Sequence, residues 1–281
     1  MVGSAARRNT APGPEESNLT VFDLSAWLIA LALLTGFGVL GWLVSLVKND
    51  VSIVDSMWSI MFLIAAASYA MTLDMTGPRA TLILILVTIW SLRLAGHIFW
   101  RNLGEAEDYR YQKIRSNNSP NFAFKSLYIV FGLQAALAWL ISLPLLAAIG
   151  GNNPIGVLDL AALILWTVGF VFESLGDLQL VRFRADPKNK GQVLNSGLWS
   201  LTRHPNYFGD FCIWWGFYLF ALSAGGWWSL GAPLLMSFLL LKVSGVAMLE
   251  KDIGTRRPQY ADYVRRTNAF FPGPQKRELS S

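Results

Sequence analysis

Apolar residues fall in long runs separated by short polar stretches, and those runs are the first signal in the chain. A helix that crosses a bilayer needs about 20 mostly apolar residues. Seven runs qualify as candidates: residues 24–47, 54–73, 80–99, 126–149, 157–180, 208–223 and 228–249. The sixth is short but rich in aromatic residues, among them Phe211, Trp214, Trp215 and Phe217. Pro144 and the glycine-bearing stretches 150–156 and 223–226 read as helix ends. The pattern predicts an all-α integral membrane bundle of about seven transmembrane helices over residues 24–272. A polar tail at 1–23, with Pro, Gly and Ser, reads as disordered, and a short tail follows at 273–281. The first tail lacks the charged lead and apolar core of a signal peptide.

Composition agrees with the runs. Hydrophobic residues make up 53% of the chain and charged residues 15%, against about 25% charged in an average soluble domain. A single cysteine, Cys212, excludes an intrachain disulfide and a thiolate metal centre, and two histidines are too few for a His-rich one. No metal is expected.

The net charge of +5 raises nucleic acid as a partner, but its distribution has another explanation. The connections after runs 1, 3, 5 and 7 hold eighteen Lys and Arg residues. The opposite side holds three: Arg7, Arg8 and Arg79. The positive-inside rule then places the N-terminus outside and the C-terminus inside, and no nucleic acid is needed to account for the charge.

Ionisable groups inside apolar runs are expensive and mark function by default. Among them are Asp55 in run 2, Arg93 and His97 in run 3, Glu173 and Asp177 in run 5, Asp210 in run 6, and Lys242 in run 7, with Glu250 at its end. With this orientation each falls in the cytoplasmic half of its helix. Glu173 and Asp177 are four apart, with Arg184 further along the same face. Arg93, His97 and Arg101 repeat that spacing, and Asn206 and Asp210 follow Pro205 in a first helical turn. Three helices thus present polar stripes at one depth, which predicts a polar cavity open to the cytoplasm. Structural alternatives stand beside this reading. Arg93 and Lys242 can snorkel, Asp55 can cap its helix, and Glu173 and Asp177 can pair with Arg93 or Lys242 to hold the bundle. No G-x-G-x-x-G follows a strand, and no Walker-type phosphate loop occurs.

The segments "GLWSLTRHPNYFGD" and "LEKDIGTRRPQYADYVRRTNAFFP", with "VDSMWS" and "EDYRYQKIR", carry a resemblance. The chain resembles the bacterial steroid 5-alpha-reductase-like membrane proteins (DUF1295 type) over about residues 50–272. That group is related to sterol reductases and isoprenylcysteine carboxyl methyltransferases. The resemblance implies a bacterial inner-membrane enzyme with its active site facing the cytoplasm, reducing the conjugated carbon–carbon double bond of a lipophilic, steroid-like enone with hydride from NADPH. It implies cofactor contacts at Glu173, Asp177, Arg184, Arg203, His204, Asn206, Tyr207 and Asp210, with Arg256, Arg257, Tyr260 and Tyr263 from the C-terminal segment. Glu173 stands where the steroid reductases have Asn. Their substrate grip uses a Glu in the second span and a Tyr in the third; here the second span offers Asp55, and the third has no Tyr. Asp55 and His97 are the candidate donors to the developing oxyanion. The alternative is a methyltransferase using S-adenosylmethionine, with Arg203, His204, Tyr207 and Glu250 around the cofactor. A third reading is a non-catalytic sterol- or lipid-binding membrane protein.

Overall fold

The computed structural model describes residues 22–73, 77–243 and 259–276, all of them helical or irregular with no strand among the described residues. In chain order the α-helices are α1 (Leu24–Lys48), α2 (Ile53–Thr72), α3 (Pro78–Asn102), α4 (Tyr109–Asn117), α5 (Phe122–Ser126), α6 (Leu133–Ile141), α7 (Leu143–Gly150), α8 (Val157–Ala185), α9 (Leu198–Leu201), α10 (Pro205–Ser223), α11 (Gly231–Phe238) and α12 (Gln259–Arg266). Local chemistry sets several ends. The Asp23 carboxylate accepts from Ala26 N at 2.7 Å and caps α1. Asn49 ends α1 in the left-handed conformation, with φ 52°. Pro78 and Pro205 open α3 and α10, where a missing N–H costs nothing.

Five helices are long and apolar enough to cross a membrane: Leu24–Lys48, Ile53–Thr72, Pro78–Asn102, Phe122–Gly150 and Val157–Ala185. Their outward faces carry exposed Leu, Ile and Val, such as Leu40 and Val47 on α1, Ile85 and Leu92 on α3, and Leu160 and Ile164 on α8. These are the features of an integral membrane protein whose lipid is its solvent. The 19-residue α10 falls short on hydropathy because Asn206, Asp210 and its Tyr and Trp residues dilute the apolar ones. The last candidate run shows a shorter apolar stretch, Trp227–Val243, and its remainder lies outside the described residues.

Pro144 does mark a helix boundary, the start of α7, but one that lies within the fourth span and not at its end. The fourth span runs from Phe122 to Gly150, with a π-turn at Leu127–Gly132 and a break at Ser142. Pro144 sits in the first turn after that break, so its ring meets no preceding carbonyl of the same helix. The polar tail predicted for 1–23 lies almost wholly outside the described residues.

The core is aromatic and small by turns. Phe62, Trp90 and Trp214 pack ring to ring, with Phe62 and Trp214 centroids 4.4 Å apart. Trp27 and Trp139 stack at 3.7 Å. Each also donates its indole N–H to the other's backbone carbonyl, tying α1 to α6.

Candidate functional site

Small residues bring the site's two main helices together. Ala162, Gly169 and Gly176 recur at seven-residue spacing on α8, as do Gly209 and Gly216 on α10. A Cβ at Gly209 would stand 2.5 Å from Gly169 O and 2.5 Å from Glu173 N. One at Gly176 would stand 3.2 Å from Asn206 N, and one at Gly216 would meet Trp166 and Ala162. Low numbers on α8 meet high numbers on α10, so the pair is antiparallel with backbones nearly in contact, as small residues permit in membranes. Glu173 and Asp177 therefore share one seam with Asn206 and Asp210.

Arg93 of α3 closes that seam. Its Nη2 lies 2.5 Å from Glu173 Oε2, and its Nη1 donates to Asp177 Oδ2 at 2.6 Å. Trp90 donates its indole N–H to Glu173 Oε2 at 3.0 Å. Asn206 donates its amide N–H to Asp177 Oδ1 at 3.3 Å, and His97 Nε2 stands 3.7 Å from Asp177 Oδ2. Of the alternatives open in the sequence, pairing of Arg93 with both carboxylates is the one formed. Asp210 is buried on the same seam, with the Trp214 indole one turn further along α10 as its neighbour. Lys242, by contrast, is exposed.

A second polar cluster holds Asp55. It does not cap α2, whose N-cap position is Ser52, because its carboxylate is drawn to α4 instead. Tyr111 donates its O–H to Asp55 Oδ1 at 2.5 Å, and Arg110 Nη2 donates to Asp55 Oδ2 at 2.6 Å. Arg110 Nε also donates to Asp108 Oδ1 at 2.9 Å, and Asp108 N donates to Ser52 Oγ at 2.8 Å. Burial first, then the Asp55 charge, holds the Tyr111 phenol well above its ordinary value, so it stays a protonated donor. Burial pushes the Asp108 carboxyl up, but the hydrogen bonds and charge of Arg110 outweigh it and hold that group below its usual range. Tyr207 lies in the first turn of α10, beside Asn206.

The motif loop has a third set of bonds. Arg203 Nη1 donates to Thr267 O at 2.7 Å and to Val264 O at 3.1 Å, capping the carbonyl end of α12. Arg203 N donates to Asn268 O at 2.9 Å, and Thr202 Oγ1 donates to Phe270 O at 2.8 Å. Tyr263 donates its O–H to Trp199 O at 2.5 Å, and Trp199 donates its indole N–H to Gly176 O at 3.1 Å. The C-terminal segment is thereby tied to α8. His204 stacks on Tyr207, centroids 5.7 Å apart.

The predicted residues thus separate. His97, Glu173, Asp177 and Asn206 are brought into contact around Arg93, with Asp210 and Tyr207 adjoining. Asp55 lies in the neighbouring cluster. Arg203 of the motif loop holds the docked C-terminal segment, which carries Tyr260 and Tyr263, Arg184 is exposed at the end of α8, and Arg256, Arg257 and Glu250 lie outside the described residues. Among the described residues no group of three or more His, Cys, Asp and Glu is arranged to hold a metal.

Two things were not foreseen. Tyr111 and Arg110 are 56 and 55 positions from Asp55, and no spacing rule joins them. The polar groups also do not all lie at one end. Arg79 and Asp159 form an ion pair at 2.8 Å with side chains 2% and 1% exposed. Ser223 donates to Asp159 Oδ2, and Arg79 reaches Pro154 O at 3.0 Å. Asp159 stands three residues into its apolar run, and Arg79 reads as a loop charge. Only the fold buries them together, at the opposite end of α8 from Asp177.

Fold and site together define a helical membrane protein with a buried, multi-helix polar centre. The chain belongs to the family described as "Protein of unknown function (DUF1295)", which matches residues 41–267. It is similar to an uncharacterized protein of Schizosaccharomyces pombe, 27% identical over 284 residues, covering 89% of this chain and 81% of the relative. A shorter match is to a probable O-methyltransferase, ustE, of Ustilaginoidea virens. That match is 43% identical over 51 residues, 18% of each chain. No solved structure matches the chain.

Proposed function

We propose that the chain is a membrane oxidoreductase that reduces a conjugated carbon–carbon double bond of a lipophilic, steroid-like enone, with NADPH as reductant. The observation that carries this reading is that Asp177, Asn206 and Asp210, from α8 and α10, are brought together on one buried seam. Buried carboxylate and amide groups need hydrogen-bond partners, and a bound ligand with hydroxyl or amide N–H groups supplies them. Ribose hydroxyls and a carboxamide are such donors, so the residues fit a nicotinamide nucleotide. Asp177, Asn206 and Asp210 would hold it, with Tyr207 alongside. The cofactor, when bound, supplies hydride. His97, and Tyr111 once its O–H turns from Asp55 to the substrate, would donate to negative charge developing on a carbonyl oxygen, with Asp55 orienting Tyr111. The apolar bundle admits the substrate and excludes water.

The eighteen-to-three split of basic residues supports placing this end of the bundle at the cytoplasmic face of a bacterial inner membrane, in a seven-span, N-out topology. The match to a probable O-methyltransferase favours a second reading, methyl transfer from S-adenosylmethionine to a lipophilic acceptor. Thermal unfolding of the detergent-solubilised protein with each cofactor separates the two. A ligand at 100 times its Kd stabilises by about 2.7 kcal/mol. Stabilisation by NADPH that is lost in Asn206→Ala supports the reductase. Stabilisation by S-adenosylmethionine with none by NADPH replaces it with the methyltransferase.

A further inference from the structure

α3 packs on α2 and α7, and α8 packs on α10, so the backbones of α3 and α8 scarcely approach each other. Side chains bridge the separation at two levels. Arg79 reaches Asp159 near one end, and Trp90 and Arg93 reach Glu173 and Asp177 nearer the other. Along this separation α8 turns Trp166, Phe170 and Ser174 to one flank, since they recur every four residues. The Trp166 ring stacks on Phe170, centroids 5.1 Å apart, and the Arg93 guanidinium lies 5.8 Å from the Phe170 ring, so this flank faces α3.

Three polar atoms on the facing sides have no hydrogen-bond partner among the described residues: Trp166 Nε1, Ser174 Oγ and Arg93 Nε. Trp166 is only 4% exposed. Hydrocarbon offers such groups no acceptor. Indole and guanidinium N–H groups only donate, and the hydroxyl donates or accepts. The complementary ligand therefore carries an acceptor oxygen at each end of an apolar body. Trp166 and Ser174 are eight residues apart, about 12 Å along a helix. Both lie in the middle half of the 29-residue α8. Lipid ester oxygens, at the edges of a hydrocarbon layer about 30 Å thick, do not reach that depth. An anion would meet two carboxylates against one guanidinium, in Glu173, Asp177 and Arg93. A flat, uncharged, apolar molecule with oxygen at both ends fits the two stacked rings and the two groups of donors.

We propose that the substrate lies against Trp166 and Phe170 between α3 and α8, with its reacting carbonyl at the Ser174 and Arg93 end, one turn before His97, and a second acceptor oxygen at the Trp166 N–H. The assignment rests on the enone reading above and narrows it: Trp166 selects substrates oxygenated at the end remote from the enone.

The test is equilibrium binding of two probes to the full chain in detergent, by calorimetric titration. One is androstenedione, an enone with a second ketone on its far ring; the other is its analogue lacking that ketone. Wild type should bind the diketone about fivefold or more tighter, the worth of one hydrogen bond. Trp166→Phe keeps a ring and removes the N–H. It should bring the diketone down to the affinity of the mono-ketone and leave the mono-ketone unchanged. Ser174 is half-buried, so Ser174→Ala is a mild change. It should weaken both probes by the same factor, about threefold or more. Equal binding of the two probes to wild type, a preference that survives Trp166→Phe, no effect of Ser174→Ala, or binding of neither probe overturns the assignment. If Trp166→Phe does not fold, the wild-type preference and the Ser174→Ala titration decide. A parallel NADPH titration separates this from the function. NADPH stabilisation lost in Asn206→Ala keeps the reductase when the Trp166 assignment fails. A Trp166-dependent preference without NADPH binding keeps the ligand site and removes the reductase.

Discussion

Arg93 Nη2 stands 2.5 Å from Glu173 Oε2, an ion pair between α3 and α8 inside an apolar bundle. The same guanidinium holds Asp177, so one cation serves two buried carboxylates. Removing a single partner of a buried pair typically costs about 3–5 kcal/mol because the other charge is left uncompensated. Arg93→Leu should therefore lower the unfolding midpoint sharply, and Arg93→Leu with Glu173→Leu should recover part of the loss. Scanning calorimetry of the three proteins in detergent checks this. Equal loss in the single and double variants would mean the pair carries no coupling.

Gly209 faces Gly169 where no Cβ fits, while Gly96 has nothing within 4 Å of its Cβ position. Overpacking a tight contact costs about 1–3 kcal/mol, whereas Gly→Ala at an open helical site stabilises by about 0.4–1 kcal/mol. Gly209→Ala should destabilise and disturb cofactor binding through Glu173 and Asp210, and Gly96→Ala should do neither. A paired comparison of midpoints and NADPH titrations decides it.

The Asp108 carboxyl is held below its usual range by Arg110. A group whose folded value is depressed contributes stability that is present above its unfolded value, about 3.9, and is lost as pH falls through the folded value. Docking of α4 on α2 should weaken only in that acid range. Hydrogen exchange over residues 109–117 against pH should show the change in wild type, and Asp108→Asn should flatten it. Exchange that loosens instead on raising the pH from neutral would contradict the assignment.

At the far end of the bundle, Arg79→Ala should cost about 3–5 kcal/mol by orphaning Asp159, with no effect on the NADPH concentration needed for half-maximal stabilisation. Replacing both by Leu should restore most of the midpoint. A shift in nucleotide affinity with Arg79→Ala would show that the two ends are coupled.

Arg203 serves two carbonyls at the end of α12 with one nitrogen of a planar fork. A lysine ammonium lacks that planar geometry. Arg203→Lys should expose residues 259–276 to limited proteolysis nearly as well as Arg203→Ala does, at unchanged cleavage of α1 to α3. Full protection in the lysine variant would mean charge alone docks the segment.

Runs of apolar residues were enough to determine the membrane class, because twenty apolar residues in a row have few other uses. They were also enough to locate most helices, since the periodic cost of exposing a backbone to lipid leaves no choice but helix. The polar stripes on α3, α8 and α10 were legible for a similar reason: four-residue spacing is local geometry. Helix ends set by local rules could be read, Pro144 among them, since a proline in a first helical turn is a local signal.

Partnership was a tertiary decision. Glu173 could have paired with Lys242 as well as with Arg93; α3, packed on α2 and α7, brings Arg93 to Glu173, while Lys242 is exposed. Asp55 was a helix cap by sequence and became the anchor of Tyr111 and Arg110 because α4 folds back over α2. Arg79 and Asp159 read as a loop charge and a helix-start acid, and became a buried pair because α3, α8 and α10 converge at that end. Local sequence carries the cost of putting each group into an apolar medium, which is a property of one residue and its neighbours in the chain. The compensation for that cost comes from residues tens of positions away, and only the folded arrangement brings them within hydrogen-bonding distance.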